Sequence, residues 1–120
     1  MARVLLVSHV AELLQEREQT LRAAGYEVTV EQSCADAVSA IQSGPFDAVV
    51  LGFSLPEEER NQLARDIKRA NPGAKIIMTY FASVKNTDPA DIILQSNAGP
   101  QELLRVINHI LGSPDRKRTG

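Results

Sequence analysis

The pattern that most narrows the folds open to this chain is a repeated change of hydrophobic period, from short continuous apolar runs to longer stretches at helical spacing. Val4, Leu5, Leu6 and Val7 form an uninterrupted run of the kind covered on both faces of a parallel sheet. Leu13, Leu14, Leu21 and Ala24 then share one side of a helix, with Glu12, Gln15, Glu16, Arg17 and Glu18 mostly left for solvent, until Gly25 ends it. Tyr26 to Glu31 alternates apolar and polar residues around β-branched valines, which predicts a strand near a sheet edge. Ser33, with Asp36 three positions on, predicts a capped helix carrying Ala37, Val38, Ala40 and Ile41 and stopped by Gly44-Pro45.

The alternation continues to the far end. Asp47 to Phe53 is again an apolar strand, and Pro56 followed by Glu57, Glu58 and Glu59 predicts a turn into an acid-rich helix start. That helix turns Leu63, Ala64 and Ile67 inward and ends at Asn71-Pro72-Gly73. Lys75 to Phe81 supplies a fourth strand and Ile92-Ile93-Leu94 a fifth. Pro100 opens a last helix whose Leu103, Val106, Ile107 and Ile110 form an apolar face before Gly112. Strands alternating with helices imply an α/β fold: a parallel sheet with helices on both faces, joined by right-handed crossovers.

A length of 120 residues suits one domain with one real core, expected over residues 1–112. Residues 113–120, with Asp115, Arg116, Lys117 and Arg118, lack an apolar face and are expected to form a mobile basic tail or the stub of a linker. The 43% hydrophobic and 23% charged fractions set aside the disordered and membrane-spanning classes. A formal net charge of -2 supplies no overall field for nucleic acid or an anionic membrane, so neither is an expected partner. One cysteine, Cys34, excludes an internal disulfide and fits a reducing compartment, which makes the cytoplasm the expected location. The apolar run at Val4 to Val7 is too short for a signal peptide or a membrane span.

Several local patterns, taken in order, resemble bacterial response-regulator receiver domains of the CheY-like kind. They are Val4-Leu5-Leu6-Val7, Gly25-Tyr26-Glu27-Val28, Phe46-Asp47-Ala48-Val49-Val50-Leu51, Leu55-Pro56 and Pro100-Gln101-Glu102-Leu103-Leu104. No one of them is specific; their order and spacing are, and the resemblance covers Arg3 to Leu111. It implies a flavodoxin-like, doubly wound sheet of five parallel strands in the order 2-1-3-4-5. The functional crevice then lies at the carboxyl ends of the strands.

The resemblance also implies a set of site positions. In that family an acidic pair ending the first strand binds Mg²⁺, an aspartate ending the third accepts phosphate, a hydroxyl residue ends the fourth and a lysine ends the fifth. Carboxylates supply hard oxygens to the metal, the acceptor carboxylate is the nucleophile, and cations neutralise the transferring phosphoryl group. Here Ser8 and His9 stand at the acidic pair, Gly52 at the phosphoacceptor, Thr79 at the hydroxyl position and Ser96 at the lysine. Only Thr79 matches. Without nucleophile or metal ligands, the chain is expected to be a degenerate pseudo-receiver that is not an enzyme and takes no metal or cofactor.

Ile93 occupies the position of the aromatic that couples phosphorylation to partner choice, so the usual readout is expected to be missing too. Ala82 to Asp91 is short and carries Asn86, Asp88 and Pro89, which predicts a shortened or absent helix between the fourth and fifth strands. Val84, Lys85, Gln95, Asn97, Arg105 and His109 make up the expected interaction surface. The expected function is phosphorylation-independent binding of a signalling protein: a histidine kinase, an output domain or a second copy. A small-ligand sensor using the crevice around Ser8, His9, Gly52, Thr79 and Ser96 is the alternative.

Other chemistry-bearing residues have plainer readings. His9 lacks companions at metal-ligand spacing and reads as a hydrogen-bonded structural histidine. Thr79 is open between packing and function, and Gly52 between a void and a place that admits a ligand or neighbouring backbone. Glu57, Glu58 and Glu59 read as favourable charges at a helix start, Cys34 as an inert thiol, and Arg116 to Arg118 as solvated charge.

Overall fold

Each apolar run becomes a strand and each helical period a helix, giving β1 (Arg3–Val7), α1 (Ala11–Ala23), β2 (Glu27–Glu31), α2 (Cys34–Gln42), β3 (Ala48–Leu51), α3 (Glu57–Ala70), β4 (Lys75–Tyr80), β5 (Ile92–Gln95) and α4 (Pro100–Leu111). The computed structural model describes residues 2–52, 56–80, 92–95 and 99–111. The strands pair in parallel in the order β2-β1-β3-β4-β5, with β2 at one edge as its alternating pattern predicts. The expected tail at 113–120 and the shortened helix at 82–91 lie outside the described residues.

Local signals set the helix ends. After α1, Gly25 takes φ 102°, a left-handed value that only glycine adopts without strain. Gly25 N–H then donates to Arg22 and Tyr26 N–H to Leu21, closing the orphan carbonyls of the last turn. Ser33 caps α2 by accepting the Asp36 N–H at 3.1 Å. β2 starts at Glu27, one residue later than the alternation suggests. Tyr26 is held under the sheet end, where its hydroxyl donates to Asn108 of α4. β3 is also shorter than its apolar run, for Asp47 and Gly52 stand outside it.

Alternate strand residues feed two cores. Leu5, Val7, Val49, Leu51, Ile76 and Met78 meet Ala37, Ile41, Leu63, Ala64 and Ile67 of α2 and α3. Val4, Leu6, Val28, Ala48, Val50 and Ile77 meet Leu14, Leu21, Leu103 and Ile107 of α1 and α4. Burying a side chain of this size stabilises the fold by roughly 1.5–3 kcal/mol each before conformational entropy is counted, so the double-sided core carries most of the stability. Arg17 corrects the solvent face expected for α1: it is only 4% exposed, in line with Leu14 and Leu21. Burial lowers its pKa against the opposing pull of Glu16.

The amino-terminal end of the sheet is bound by a compact set of polar contacts. The Arg3 guanidinium lies 4.5 Å from the centroid of the Phe46 ring and donates to the Pro45 carbonyl, while the Arg3 N–H donates to Asp47 at 2.7 Å. Asn71 donates to the Phe46 carbonyl and Lys68 to the Ala74 carbonyl, both at 2.7 Å. These bonds fix the start of β3 and the turn into β4. Strand register is then carried upward to the opposite end.

Candidate functional site at the carboxyl ends of the strands

Strand register alone brings three of the expected positions together. Val7 pairs with Leu51, and Leu51 with Met78, so these form one row across the sheet. The next residue on each strand is Ser8, Gly52 or Thr79, and Thr79 pairs in turn with Leu94 of β5. Ile93 sits one row lower, opposite Met78. Ser96 lies outside the described residues, and of Ile93 and Gln95 the structure describes only the backbone.

The row is filled. A Cβ placed on Gly52 would stand 2.9 Å from the Ser8 Cβ, 3.0 Å from its Oγ and 3.1 Å from the Val7 carbonyl oxygen. The first and last of these neighbours are not flexible tips, so any side chain here forces a shift. Ser8 is 1% exposed, and its Oγ accepts the Val10 N–H at 3.1 Å where the chain enters α1. Its own N–H donates to the Glu31 carbonyl, and Gly52 N–H donates to Val7 at 2.8 Å. Gly52 thus leaves neither a void nor a ligand slot beside β1: the Ser8 side chain occupies the space.

Thr79 is fully buried, and His9 is exposed beyond the row. The cluster does not suit Mg²⁺. That ion demands near-octahedral oxygen ligands, commonly one or two of them carboxylates. Gly52 contributes no side-chain oxygen, and the Ser8 hydroxyl is already engaged. Among the described residues no group of three His, Cys, Asp or Glu side chains could hold a metal ion.

Of the expected interaction surface, Arg105 and His109 are exposed one turn apart on α4. Arg105 grips Glu102 through Nε at 3.0 Å and through Nη2, and this hydrogen bond holds the Glu102 carboxyl below its ordinary pKa. Val84, Lys85 and Asn97 lie outside the described residues. Cys34, at the first position of α2, has its thiol pKa raised by burial and by Glu59, which agrees with the inert reading.

Sequence reasoning missed two buried polar residues on α3. Arg60 and Asn61 are each 4% exposed. The signal was present: Arg60 precedes Leu63, Ala64 and Ile67 by three, four and seven positions, and Asn61 precedes Ala64 by three. Both therefore belong to the apolar face, despite their chemistry.

Comparison with known proteins places this geometry in a wider set. No protein-family model matches the chain. The DNA-binding transcriptional regulator NtrC of Rhizobium meliloti is 26% identical over 122 residues, covering 97% of this chain and 25% of the regulator. The chain thus spans about a quarter of that relative's length. A CheY-like response-regulator receiver domain from Methanospirillum hungatei superposes with a TM-score of 0.84 at 25% identity, covering 100% of this chain and 99% of the other. The response regulator TrrA of Thermotoga maritima, solved in complex with Mg²⁺-BeF, gives 0.78 at 24% identity over 92% of this chain and 99% of its own. The fold built from these five strands and their flanking helices is that of the CheY-like response-regulator receiver domain.

Proposed function

We propose that this chain acts as an atypical receiver domain of two-component signal transduction, binding a protein partner without being phosphorylated and performing no catalysis itself. The observation that carries this is the contact between Ser8 and the face of Gly52. Phosphoryl transfer to a receiver needs a carboxylate nucleophile, a metal beside it and positive charge around the moving group. At the position that would hold the nucleophile there is no side chain, and the neighbouring strand fills the space. What persists is a rigid scaffold, with receiver-like faces for a histidine kinase, an output domain or a second copy. No cofactor, nucleic acid or membrane contact is part of this function.

The closed row also counts against the alternative of a small-ligand sensor in the same crevice, since Ser8 and Thr79 are buried there. The test is to incubate the purified chain with acetyl phosphate and Mg²⁺ and to measure its intact mass. The expected spectrum shows no phosphoryl adduct. A stoichiometric adduct labile to hydroxylamine, as an acyl phosphate is, would overturn the proposal.

A further inference from the structure

α2 and α3 lie side by side on the other core face from α1 and α4 and take no part in the row just described. Between them runs a groove, an open cleft of about 600 Å³ with Cys34 and Val38 on the α2 wall and Leu63 and Asp66 on the α3 wall. It continues into a second hollow of about 370 Å³, which shares Val38 and adds Ile41. On the outer side of α2, Ala35 and Ser39 are exposed, both small and uncharged.

The outer side of α3 is charged, and its charges are ordered. Glu58, Gln62, Arg65 and Arg69 are exposed at spacings of four, three and four, so they form one stripe on the helix surface. That spacing reads the same in both directions. Two such stripes laid antiparallel about a two-fold axis midway between Gln62 and Arg65 therefore set residue opposite residue: Glu58 of one copy faces Arg69 of the other, and Gln62 faces Arg65. Each pairing is complementary, carboxylate with guanidinium or amide oxygen with guanidinium. A parallel alignment would instead set Glu58 on Glu58 and Arg69 on Arg69. The charges also suit the dipole of their own helix, acidic at its start and basic at its end, and antiparallel pairing brings opposite dipole ends together.

Little holds this stripe within its own chain. The Arg69 side chain is 76% exposed and reaches Asp66 at 3.6 Å, and Arg65 reaches Gln62 at 3.5 Å. Glu58 makes no ion pair among the described residues. Exposed contacts of that kind contribute little, so exchanging them for contacts between copies costs little.

We propose that this face pairs with itself: two copies of the chain form a two-fold dimer in which α3 lies antiparallel on α3, with Glu58 of each copy meeting Arg69 of the other. The same axis sets the two grooves against each other. Ala35 and Ser39 leave room for the α2 helices to approach, which closes Val38 and Ile41 off from water. One surface patch serves both copies, as a two-fold interface requires. The inference rests on the chain being an interaction module, and adds a second copy as its partner and this face as the place where it binds.

The test is sedimentation equilibrium of the full chain at loadings up to about 1 mM, the range in which a small interface is read. The unaltered chain is expected to dimerise reversibly, and less tightly as salt is raised. Glu58→Arg and Arg69→Glu each set like charges opposite one another on both sides of the axis, and each is expected to weaken dimerisation about tenfold. Both positions are exposed, so the variants keep the fold. Mixed in equal amounts, they are expected to recover association, since one then offers two arginines where the other offers two glutamates. An unaltered chain that stays monomeric overturns the proposal, as does a mixture no tighter than its parts. A dimer that both single variants retain uses another face: it overturns this surface and leaves the interaction-module reading intact. That reading fails instead on a stoichiometric acyl phosphate in the mass measurement, a result that sedimentation does not report.

Discussion

The carboxyl end of the sheet and the α2–α3 groove handle buried polar atoms in opposite ways. At the sheet end, the Ser8 hydroxyl accepts the Val10 N–H, and Ser8 packs against Gly52 so closely that a Cβ would stand 2.9 Å away. In the groove, Asn61 keeps Oδ1 buried with no donor, beside an open cleft edged by Glu58 and Glu59. The first place is satisfied and full; the second is unsatisfied and open. A fold's usual crevice can thus be filled while an unmet hydrogen bond lies elsewhere on the same scaffold.

The contrast can be broken most forcefully at Gly52. Gly52→Asp should cost about 4 kcal/mol, since it combines overpacking against Ser8 with burial of a carboxylate. A urea denaturation midpoint unchanged by this substitution would mean that the row is open after all. Gly52→Ala should cost about 2 kcal/mol, and adding Ser8→Gly should recover about half of that, because the two side chains compete for one space. Simple additivity in that double-mutant cycle would separate the two residues and break the account of the filled row.

Much of the fold was legible because it depends on period and punctuation. The Val4–Val7 run and the helical spacing of α4 are local, and Gly25 marks the end of α1 by its own conformational freedom. The Ser8–Gly52 contact was not legible, since it joins residues 44 positions apart through strand register. The row of site positions could be laid out from the resemblance, yet nothing local tells whether a glycine leaves a gap or is covered. Arg17 was misread, and Arg60 and Asn61 were passed over, for another reason: spacing places all three on apolar faces, but their polarity argues for solvent. Spacing was the better guide at all three.

Smaller effects sharpen the comparison. Ser8→Ala should lower stability by about 1 kcal/mol as the Val10 N–H loses its acceptor, whereas Asn61→Leu should raise it by about 1 kcal/mol by removing an unpaired acceptor. Opposite signs in the two urea midpoints are the signature of one satisfied and one unsatisfied site. At the groove edge, the raised Cys34 pKa leaves less thiolate at a given pH, so iodoacetamide should react more slowly than with a free cysteine peptide. Glu59→Gln removes the lesser cause of that rise, after burial, and should speed alkylation at pH 8.

The most direct test of the closed site is an amide NMR titration with Mg²⁺, followed by Mg²⁺ with beryllofluoride, which mimics an aspartyl phosphate. The filled row predicts that the amides of Ser8, Gly52 and Thr79 stay unmoved through both additions. Saturable shifts clustered on those three residues would show a working phosphoryl site and contradict the account.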